Sequence, residues 1–382
     1  MKRVLGIACI GFATYITAHV QFVTPGFSYD DVLLVPRKSM VASRKEGNVH
    51  TKFSKNITLA IPIVSANMDT VTEHTMAIAM AEQGGIGIIH RFNTIEQQVA
   101  EVRTVKEHCV CDTLYPHASR DLHGRLRVGA ALGVKEDALA RATALVEVGV
   151  DALVIDIAHG HCASAIALVQ QLKRIFPDVD LVAGNVVTAE ATRELIIAGA
   201  DAIKVGIGPG SICTTRIITG CGFPQLSAII ACSHEADIFG IPIIADGGIR
   251  YSGDITKAIA AGASTVMLGN LLAGTDESPG VIITKDTKQY KAIKGMASMS
   301  AQKRYAYQRR DESYVADGVD ALTLYKGSVA DCLSQLVGGL RSGMSYCGAA
   351  TLDQLRGNGI FVPITAAGVR ESHVHDVERS AT

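Results

Sequence analysis

A repeated unit occupies the chain between residues 59 and 270. Eight short runs rich in Val, Ile and Ala alternate there with amphipathic stretches of helix length. Glycine-containing segments such as EQGG at 82–85 and AAGAS at 260–264 precede several runs, which is typical of a helix end that leads directly into a strand. The eight runs are LAIPIVSAN, GIGIIH, LRVGAAL, DALVIDIA, VDLVAGN, DAIKVGIG, IPIIADGG and STVMLGN. Because fully apolar strands belong to parallel sheets covered by helices, the repeat predicts an α/β fold: a closed (β/α)8 TIM barrel rather than an open doubly wound sheet.

Polar residues and glycines gather at the carboxyl ends of the predicted strands. They are Ser65 and Asn67, His90, Asp156 to His161, Asn185, the loop at 206–216, Asp246 to Gly248, Gly269 and Asn270. Barrel enzymes build their sites from residues at this end of the barrel. A purely structural barrel has no need of Asp, Asn and Gly at so many strand ends, so we predict a binding site there.

The loop GIGPGSICTTR at 206–216 places Cys213 among three glycines, a proline and three hydroxyl side chains. A structural cysteine usually lies in an apolar run, whereas glycines let the backbone turn and offer its amides and carbonyls to a ligand. The loop therefore indicates a chemical role for the thiol. A tight turn with an incidental cysteine is the alternative.

The last two predicted strands end in ADGGIRYSGD and MLGNLLAG, where barrels commonly bind a phosphate through backbone amides and a helix N-terminus. Glycines at 247, 248 and 269 leave room for phosphate oxygens, and Ser211 adds a hydroxyl. Asp246 would repel a phosphate, so we expect it to accept hydrogen bonds from ribose hydroxyls. The pattern favours a nucleotide site, although paired glycines are also frequent in ordinary turns.

The charge and cysteine content exclude several classes of protein. The formal net charge is −1, from 36 basic and 37 acidic residues, so no net field attracts nucleic acid or an anionic membrane. Nine cysteines are scattered without paired metal spacing, and we interpret the one close pair, Cys109 and Cys111, as part of an ordinary loop. Because thiols are kept reduced in the cytosol, a cytoplasmic location is the simpler explanation for this odd and scattered set of cysteines.

Several segments lie outside the predicted repeat. Residues 1–22 have a basic start and an apolar stretch that resembles a signal peptide and is too short to span a bilayer, so we treat them as an N-terminal extension of open role. Residues 23–377 are predicted to form a single (β/α)8 domain, followed by a tail at 378–382.

The charged stretch at 281–327, after strand eight, predicts either a disordered loop or a mobile lid. Lids close over chemistry that must exclude water.

Eight motifs follow one another along residues 27–377. They are FSYDDVLLVP, SANMDTV, IDIAHGH, GNVVTAE, GIGPGSICTTR, ADGGIRYSGD, GGLRSGMSYCGA and ESHVHDV. In content and order they resemble the IMP dehydrogenase and GMP reductase family of purine nucleotide enzymes. Family members with a regulatory CBS pair carry it between strands two and three. Only about 35 residues separate His90 from Arg125 here, so we expect no CBS pair.

The resemblance implies a catalytic set around Cys213. Cys213 is expected to attack C2 of a purine and form a covalent adduct, while hydride passes between C2 and a nicotinamide. A thiolate suits this step because sulfur adds to an electron-poor carbon and leaves again readily. Thr215 is expected to move protons with a lid residue that is Glu or Gln in the family and Asp317 here, one methylene shorter. In dehydrogenases a lid Arg–Tyr pair activates water, and Arg304 and Tyr305 supply that dipeptide.

The resemblance also implies the ligand contacts. The residues expected to contact a purine nucleoside monophosphate are Ser65, Met68, Ser211, Asp246, Gly247, Gly248, Gly269, Asn270, Gly295 and Met296. Those expected to contact NADPH, or NAD in a dehydrogenase, are Asp156, His159, Gly206 and Gly208. A monovalent cation, potassium, is expected at Gly208, Gly210 and Cys213, with Glu371, Ser372 and His373 reaching it from a neighbouring subunit of a homotetramer.

The lid separates the two activities of the family. The 24 residues from Gly295 to Gly318 resemble the shorter reductase lid, GMAS and AQKRY resemble reductase motifs, and Ile293 replaces a Tyr that is usual in dehydrogenases. The C-terminal ESHVHDV and the Cys213 loop resemble bacterial IMP dehydrogenases instead. We expect a GMP reductase that uses NADPH, with an NAD-dependent IMP dehydrogenase as the alternative and a non-catalytic nucleotide-binding barrel as a third interpretation.

Overall fold

The computed structural model describes residues 25–301 and 315–377, and its central element is a closed barrel of eight parallel strands. Strands are numbered along the chain, and three short strands precede the barrel. The barrel strands are β4 (Ile63–Ser65), β5 (Ile86–Ile89), β6 (Val128–Leu132), β7 (Ala152–Asp156), β8 (Asp180–Val186), β9 (Ala202–Val205), β10 (Ile243–Asp246) and β11 (Thr265–Leu268). Each of the eight predicted runs coincides with one of these strands, with β8 extending one residue beyond its run, so the predicted (β/α)8 fold is confirmed.

Helices cover the outer face of the barrel. The longer ones are α1 (His74–Glu82), α2 (Ile95–Glu107), α3 (Ala138–Glu147), α4 (Ala163–Ile175), α5 (Ala189–Ala198), α7 (Gln225–Phe239), α8 (Ser252–Ala260) and α10 (Val329–Tyr346). Short helices are α6 (Thr215–Thr219), α9 (Asn270–Ala273), α11 (Leu352–Asn358) and α12 (Ala366–Glu371). Helix α5 shows how the sequence sets the bounds: Thr188 Oγ1 accepts a hydrogen bond from the Ala191 amide at its start, and Gly199 ends it at φ 113°. In the described part of the chain, no helix has the length and apolarity needed to cross a membrane.

Two apolar layers form the core, because successive strand residues face opposite sides of the sheet. Val64, Val154 and Ile244 point into the barrel, while their neighbours pack against the helices. Two of the short leading strands, β2 (Thr51–Lys52) and β3 (Thr58–Leu59), form a hairpin that adds Phe53 to the inner layer. The hairpin covers the end of the barrel where the strands begin, so the open end is the one where they finish.

A small two-stranded sheet pairs a segment near the start of the described residues with a segment near their end. Strand β1 (Val32–Leu34) pairs antiparallel with β15 (Phe361–Pro363). A single helical turn at Tyr29–Asp31 precedes β1 and places Tyr29, which is 3% exposed, against the open end of the barrel. The FSYDDVLLVP segment is thus a lead-in that packs on the site and not a free linker.

The stretch predicted as a lid, 281–327, contains regular structure. Strands β12 (Ile283–Lys285), β13 (Lys288–Lys294) and β14 (Asp320–Leu324) form an antiparallel sheet. The expectation of a disordered or irregular loop did not anticipate this sheet, since its strands are short and carry many charged residues. Arg304 and Tyr305, the N-terminal extension and the tail at 378–382 lie outside the described residues.

Candidate active site

A cavity of about 390 Å³ opens at the carboxyl ends of the barrel strands. Ligand pockets commonly have about 300–1,000 Å³, so the cavity is large enough for a small ligand. The predicted substrate residues that line it are Met68, Ser211, Asp246, Gly247, Gly248, Gly269 and Asn270. The structure therefore brings most of the predicted nucleotide contacts together around one space.

Three of the predicted substrate residues do not line this cavity. Ser65 is fully buried, and its hydroxyl oxygen accepts a hydrogen bond from Thr72 Oγ1 at 2.9 Å. Its side chain is therefore committed to the barrel wall. Gly295 and Met296 lie in the segment that follows β13 and are absent from the cavity lining.

Several cavity residues were missed from the sequence. Tyr29, Gln225 and Arg250 line the same space, together with Ile293, which the sequence had singled out only for replacing a tyrosine. Arg250 forms an ion pair with Asp30, which joins the loop after β10 to the lead-in segment. The lead-in motif was the available signal, but nothing in its sequence indicated which strand end it would pack against.

The Cys213 loop is fixed by its own side chains and by the returning chain of the insertion. Cys213 Sγ donates a hydrogen bond to Thr215 Oγ1 at 3.1 Å, so two residues of the predicted catalytic set are in contact. The amide of Thr214 donates to the Asp317 carbonyl at 2.9 Å, and the Val319 amide donates to the Ile212 carbonyl at 3.1 Å. Asp317, Cys213 and Thr215 thus share one small region, as predicted.

A close approach of two glycines lets the insertion reach this loop. A Cβ atom added at Gly295 would lie 3.0 Å from the Gly318 Cα, and one added at Gly318 would lie 3.2 Å from the Gly295 Cα. The Asp317 amide donates to the Ala297 carbonyl at 3.0 Å. The segments before and after the undescribed part of the insertion therefore pack backbone to backbone beside Cys213.

Gly206 explains why a glycine ends β9. Its φ is +146°, and a Cβ atom there would lie 2.2 Å from the Asp246 carbonyl oxygen. Its amide donates to the Val186 carbonyl at 3.0 Å, and its carbonyl accepts from Asn185 Nδ2 at 2.7 Å. Only glycine fits this position, where the backbone bonds to the end of β8 and packs against the Asp246 carbonyl at the end of β10.

A buried lysine lies between two of the predicted site residues. Lys204 Nζ is 3.0 Å from Asp156 Oδ1 and 2.7 Å from Asp246 Oδ2, and its side chain is 2% exposed. Burial alone would lower the pKa of Lys204, but the charges of Asp246 and Asp156 raise it above its ordinary value. Burial likewise favours a higher pKa for Asp156, but Lys204 and Arg91 hold that pKa below its usual range. Sequence reasoning missed Lys204, whose only signal was one charged residue inside the apolar run DAIKVGIG.

The predicted cofactor side adjoins this lysine. Asp156 is the last residue of β7, and His159 follows it with its ring 6.4 Å from that of His161. His161 Nε2 lies 3.1 Å from Glu194 Oε2, so this second histidine is tied to α5. Asp156 and His159 remain predicted cofactor contacts, and Gly206 lies beside Asp246, on the other side of Lys204.

The structure places the predicted potassium ligands in two separate segments of one chain. The Gly210 carbonyl accepts from the Cys213 amide at 3.1 Å, which closes the loop, and Arg216 Nη2 donates to the Phe223 carbonyl at 2.5 Å. Glu371 is the last residue of α12. His373 follows the helix, and the centroid of its ring lies 6.3 Å from that of the Tyr251 ring. Among the described residues, no hydrogen bond or ion pair joins the 371–373 segment to the Cys213 loop of the same chain, and no cluster of His, Cys, Asp or Glu suits a metal ion.

These features define a (β/α)8-barrel protein with a ligand cavity at the carboxyl ends of its strands. The loop that carries Cys213 contributes Ser211 and Ile212 to the cavity lining, whereas Cys213 and Thr215 are not part of that lining. The family model described as the IMP dehydrogenase / GMP reductase domain matches residues 26–375. The chain therefore belongs to this family of purine nucleotide oxidoreductases, as its motifs predicted.

The chain is similar to proteins named inosine-5′-monophosphate dehydrogenase and also to proteins named GMP reductase. It is 49% identical to an inosine-5′-monophosphate dehydrogenase of Cryptosporidium parvum, with 92% of this chain and 96% of the relative covered. It is 40% identical to a GMP reductase of Leishmania donovani, with 93% and 97% covered. A crystal structure of GMP reductase from Trypanosoma brucei in complex with guanosine 5′-monophosphate superposes with a TM-score of 0.89 at 40% identity, covering 93% of this chain and 99% of that one.

Proposed function

We propose that the protein is a GMP reductase, which converts GMP, NADPH and two protons into IMP, ammonium and NADP+. The observation that carries this proposal is the insertion after β11: only 24 residues run from Gly295 to Gly318, as in the shorter reductase lid. Ile293 adds support, because it is 2% exposed and lines the cavity where a dehydrogenase would present a tyrosine.

The contacts around Cys213 support a covalent mechanism. The thiolate adds to C2 of GMP, the 2-amino group leaves as ammonia once protonated, and the C–S bond breaks after hydride reaches C2. Thr215 Oγ1, 3.1 Å from the sulfur, is proposed to relay the thiol proton: it takes up that proton as its own hydroxyl proton passes to the Asp317 carboxylate. Asp317, hydrogen-bonded through its carbonyl to Thr214, is the acidic group adjacent to this pair and is proposed to protonate the departing amine.

The cavity lining supports the placement of the nucleotide. Gly247, Gly248 and Gly269 present backbone at the ends of β10 and β11, where the phosphate is proposed to bind together with Ser211. Asp246 is proposed to accept hydrogen bonds from the ribose, and Met68 to contact the base. We further propose that the purine C2 faces the loop that carries Cys213, whose neighbours Ser211 and Ile212 line the cavity.

The residues around Asp156 fit a nicotinamide cofactor. A bound NADPH would supply the hydride for C2. Asp156 is held by Lys204 beside the base position, and the loop at 158–161 forms the adjoining wall, with the Gly160 amide donating to the Asn185 carbonyl at 2.8 Å. We propose that Asp156 and His159 orient the nicotinamide.

The cation and the assembly are further parts of the proposal. The loop carbonyls of Gly208, Gly210 and Cys213 are chemically suited to potassium, and Glu371 to His373 are proposed to reach the loop of a neighbouring subunit in a homotetramer. The eight cysteines within the described residues are unpaired, which accords with a reducing, cytoplasmic environment.

IMP dehydrogenase activity is the second candidate, in which water attacks C2 and NAD accepts the hydride. The 49% identity to the Cryptosporidium parvum enzyme favours it. In this case Arg304 and Tyr305 would activate the water from a position nearer to Gly295 than in dehydrogenases.

Nicotinamide absorbance distinguishes the two reactions. Purified protein is assayed with GMP and NADPH, and separately with IMP, NAD and potassium. Loss of absorbance with ammonia release in the first assay supports the reductase, and a gain in the second contradicts it. Cys213→Ala is expected to abolish turnover, whereas Cys221→Ala, which changes an exposed cysteine of the same region, serves as the matched control.

A further inference from the structure

Lys204 joins the two ligand sides of the site. Its ammonium contacts Asp246, which lines the nucleotide cavity, and Asp156, which ends β7 on the proposed cofactor side. Asn185 Nδ2 donates to the same Asp246 oxygen, Oδ2, at 2.9 Å. Lys204 Nζ and Asn185 Nδ2 thus both contact Oδ2 of Asp246. The other carboxylate oxygen, Oδ1, is therefore left to accept a hydrogen bond from a ligand hydroxyl.

The electrostatics of the cluster make its two carboxylates interdependent. A desolvated carboxylate needs a cation or hydrogen-bond donors close by, because burial penalises its charge. Here two carboxylates share one ammonium, which is itself 2% exposed. When one carboxylate loses its charge, the ammonium interacts more strongly with the other and withdraws electron density from it.

We propose that Lys204 is a positioning residue that couples the nucleotide side to the cofactor side of the site, by dividing its N–H donors between Asp246 and Asp156. The inference rests on the proposed function, because that function assigns one carboxylate to each ligand. Neutralising Asp156 should then weaken Asp246 as an acceptor for the ribose, even though Asp156 lies outside the nucleotide cavity.

A second cluster of the same composition provides a control. Lys106 Nζ lies 3.2 Å from Asp121 Oδ2 and 2.5 Å from Asp151 Oδ2, and its side chain is 3% exposed. Asp151 directly precedes β7, whereas Asp156 ends it. Each lysine is therefore buried between two aspartates, and one aspartate of each pair lies at an end of β7. Only Lys204 lies at the proposed ligand site.

The test measures GMP dissociation constants by calorimetry without cofactor, using the whole chain. Asp156→Asn is made in the native background and in the Lys204→Met background. In the native background we expect Asp156→Asn to weaken GMP binding about fivefold, the lower end of typical coupling between sites. In the Lys204→Met background the same change should leave GMP binding unaltered. Lys106→Met should not change GMP binding in either background.

Each outcome bears on the proposal. An equal effect of Asp156→Asn in both backgrounds refutes the coupling, as does no effect in the native background. Loss of GMP affinity in Lys106→Met equal to that in Lys204→Met would show a general cost of removing a buried lysine and would also refute it. If Lys204→Met does not fold, Lys204→Gln replaces it with the same expectation. Failure of the native protein to bind GMP or IMP would instead overturn the proposed function, and the inference with it.

Discussion

Replacing Gly206 tests whether its backbone conformation supports the site. In Gly206→Ala, the new Cβ would lie 2.2 Å from the Asp246 carbonyl oxygen, and the residue would have to keep a φ of +146°. A backbone region that is nearly restricted to glycine costs about 1–3 kcal/mol. Forcing a methyl group into packed surroundings costs about another 1–3 kcal/mol. The expected loss in the free energy of unfolding is therefore about 2–6 kcal/mol.

Urea titration followed by circular dichroism measures this loss, and Gly338→Ala is the matched control. Gly338 lies within α10, where an added Cβ meets no atom within 4 Å. Alanine is favoured over glycine inside a helix by about 1 kcal/mol, so the control should become slightly more stable. If Gly206→Ala unfolds within about 0.5 kcal/mol of the native protein, the size of an ordinary surface substitution, the steric argument is wrong.

Three further predictions concern the mechanism, the core and the pH dependence. Asp317→Asn should lower kcat by a factor of about 10²–10⁴, which is the usual contribution of a proton-transfer group, and should leave the GMP dissociation constant unchanged. An unaltered kcat would show that Asp317 is not part of the proton path. Phe53→Ala should cost about 3–5 kcal/mol of unfolding free energy because Phe53 is fully buried inside the barrel, and Phe27→Ala, at 37% exposure, should cost far less. Burial favours a higher pKa for Asp121, but the Arg125 amide and the Lys106 charge lower it to about 2 from 3.8. Asp121 should therefore contribute about 2 kcal/mol above pH 4 that is lost as the pH falls toward 2, and Asp121→Asn should remove this part of the acid sensitivity in unfolding titrations.

The barrel could be predicted from the sequence because its signal is local and repeated. Each strand is a short apolar run, several of the runs are entered through a glycine turn, and eight such runs leave few other arrangements. The strand ends then identified ten of the 22 residues that line the cavity, including Asp246 and Ser211. This inference needs only the rule that the carboxyl ends of parallel strands meet at one face.

What the sequence did not show depends on contacts between distant segments or on the direction of a side chain. Ser65 ends β4 as predicted, but its hydroxyl bonds to Thr72 in the wall and not to the cavity. Lys204 was read as one residue of a strand, since its two partners come from β7 and β10. The sheet of the insertion escaped prediction because its short strands have exposed, charged positions and therefore little apolar alternation.

The hydrogen bonds from Thr214 to Asp317 and from Val319 to Ile212 have a consequence for ligand exchange. They tie the backbone on both sides of the thiol to the chain that leads into β14. In the proposed mechanism, any movement that lifts this chain would have to break those bonds or carry the sulfur away from the purine. While the C–S bond exists, the nucleotide would in turn anchor the insertion, so ligand release and cleavage of the covalent bond would become ordered events.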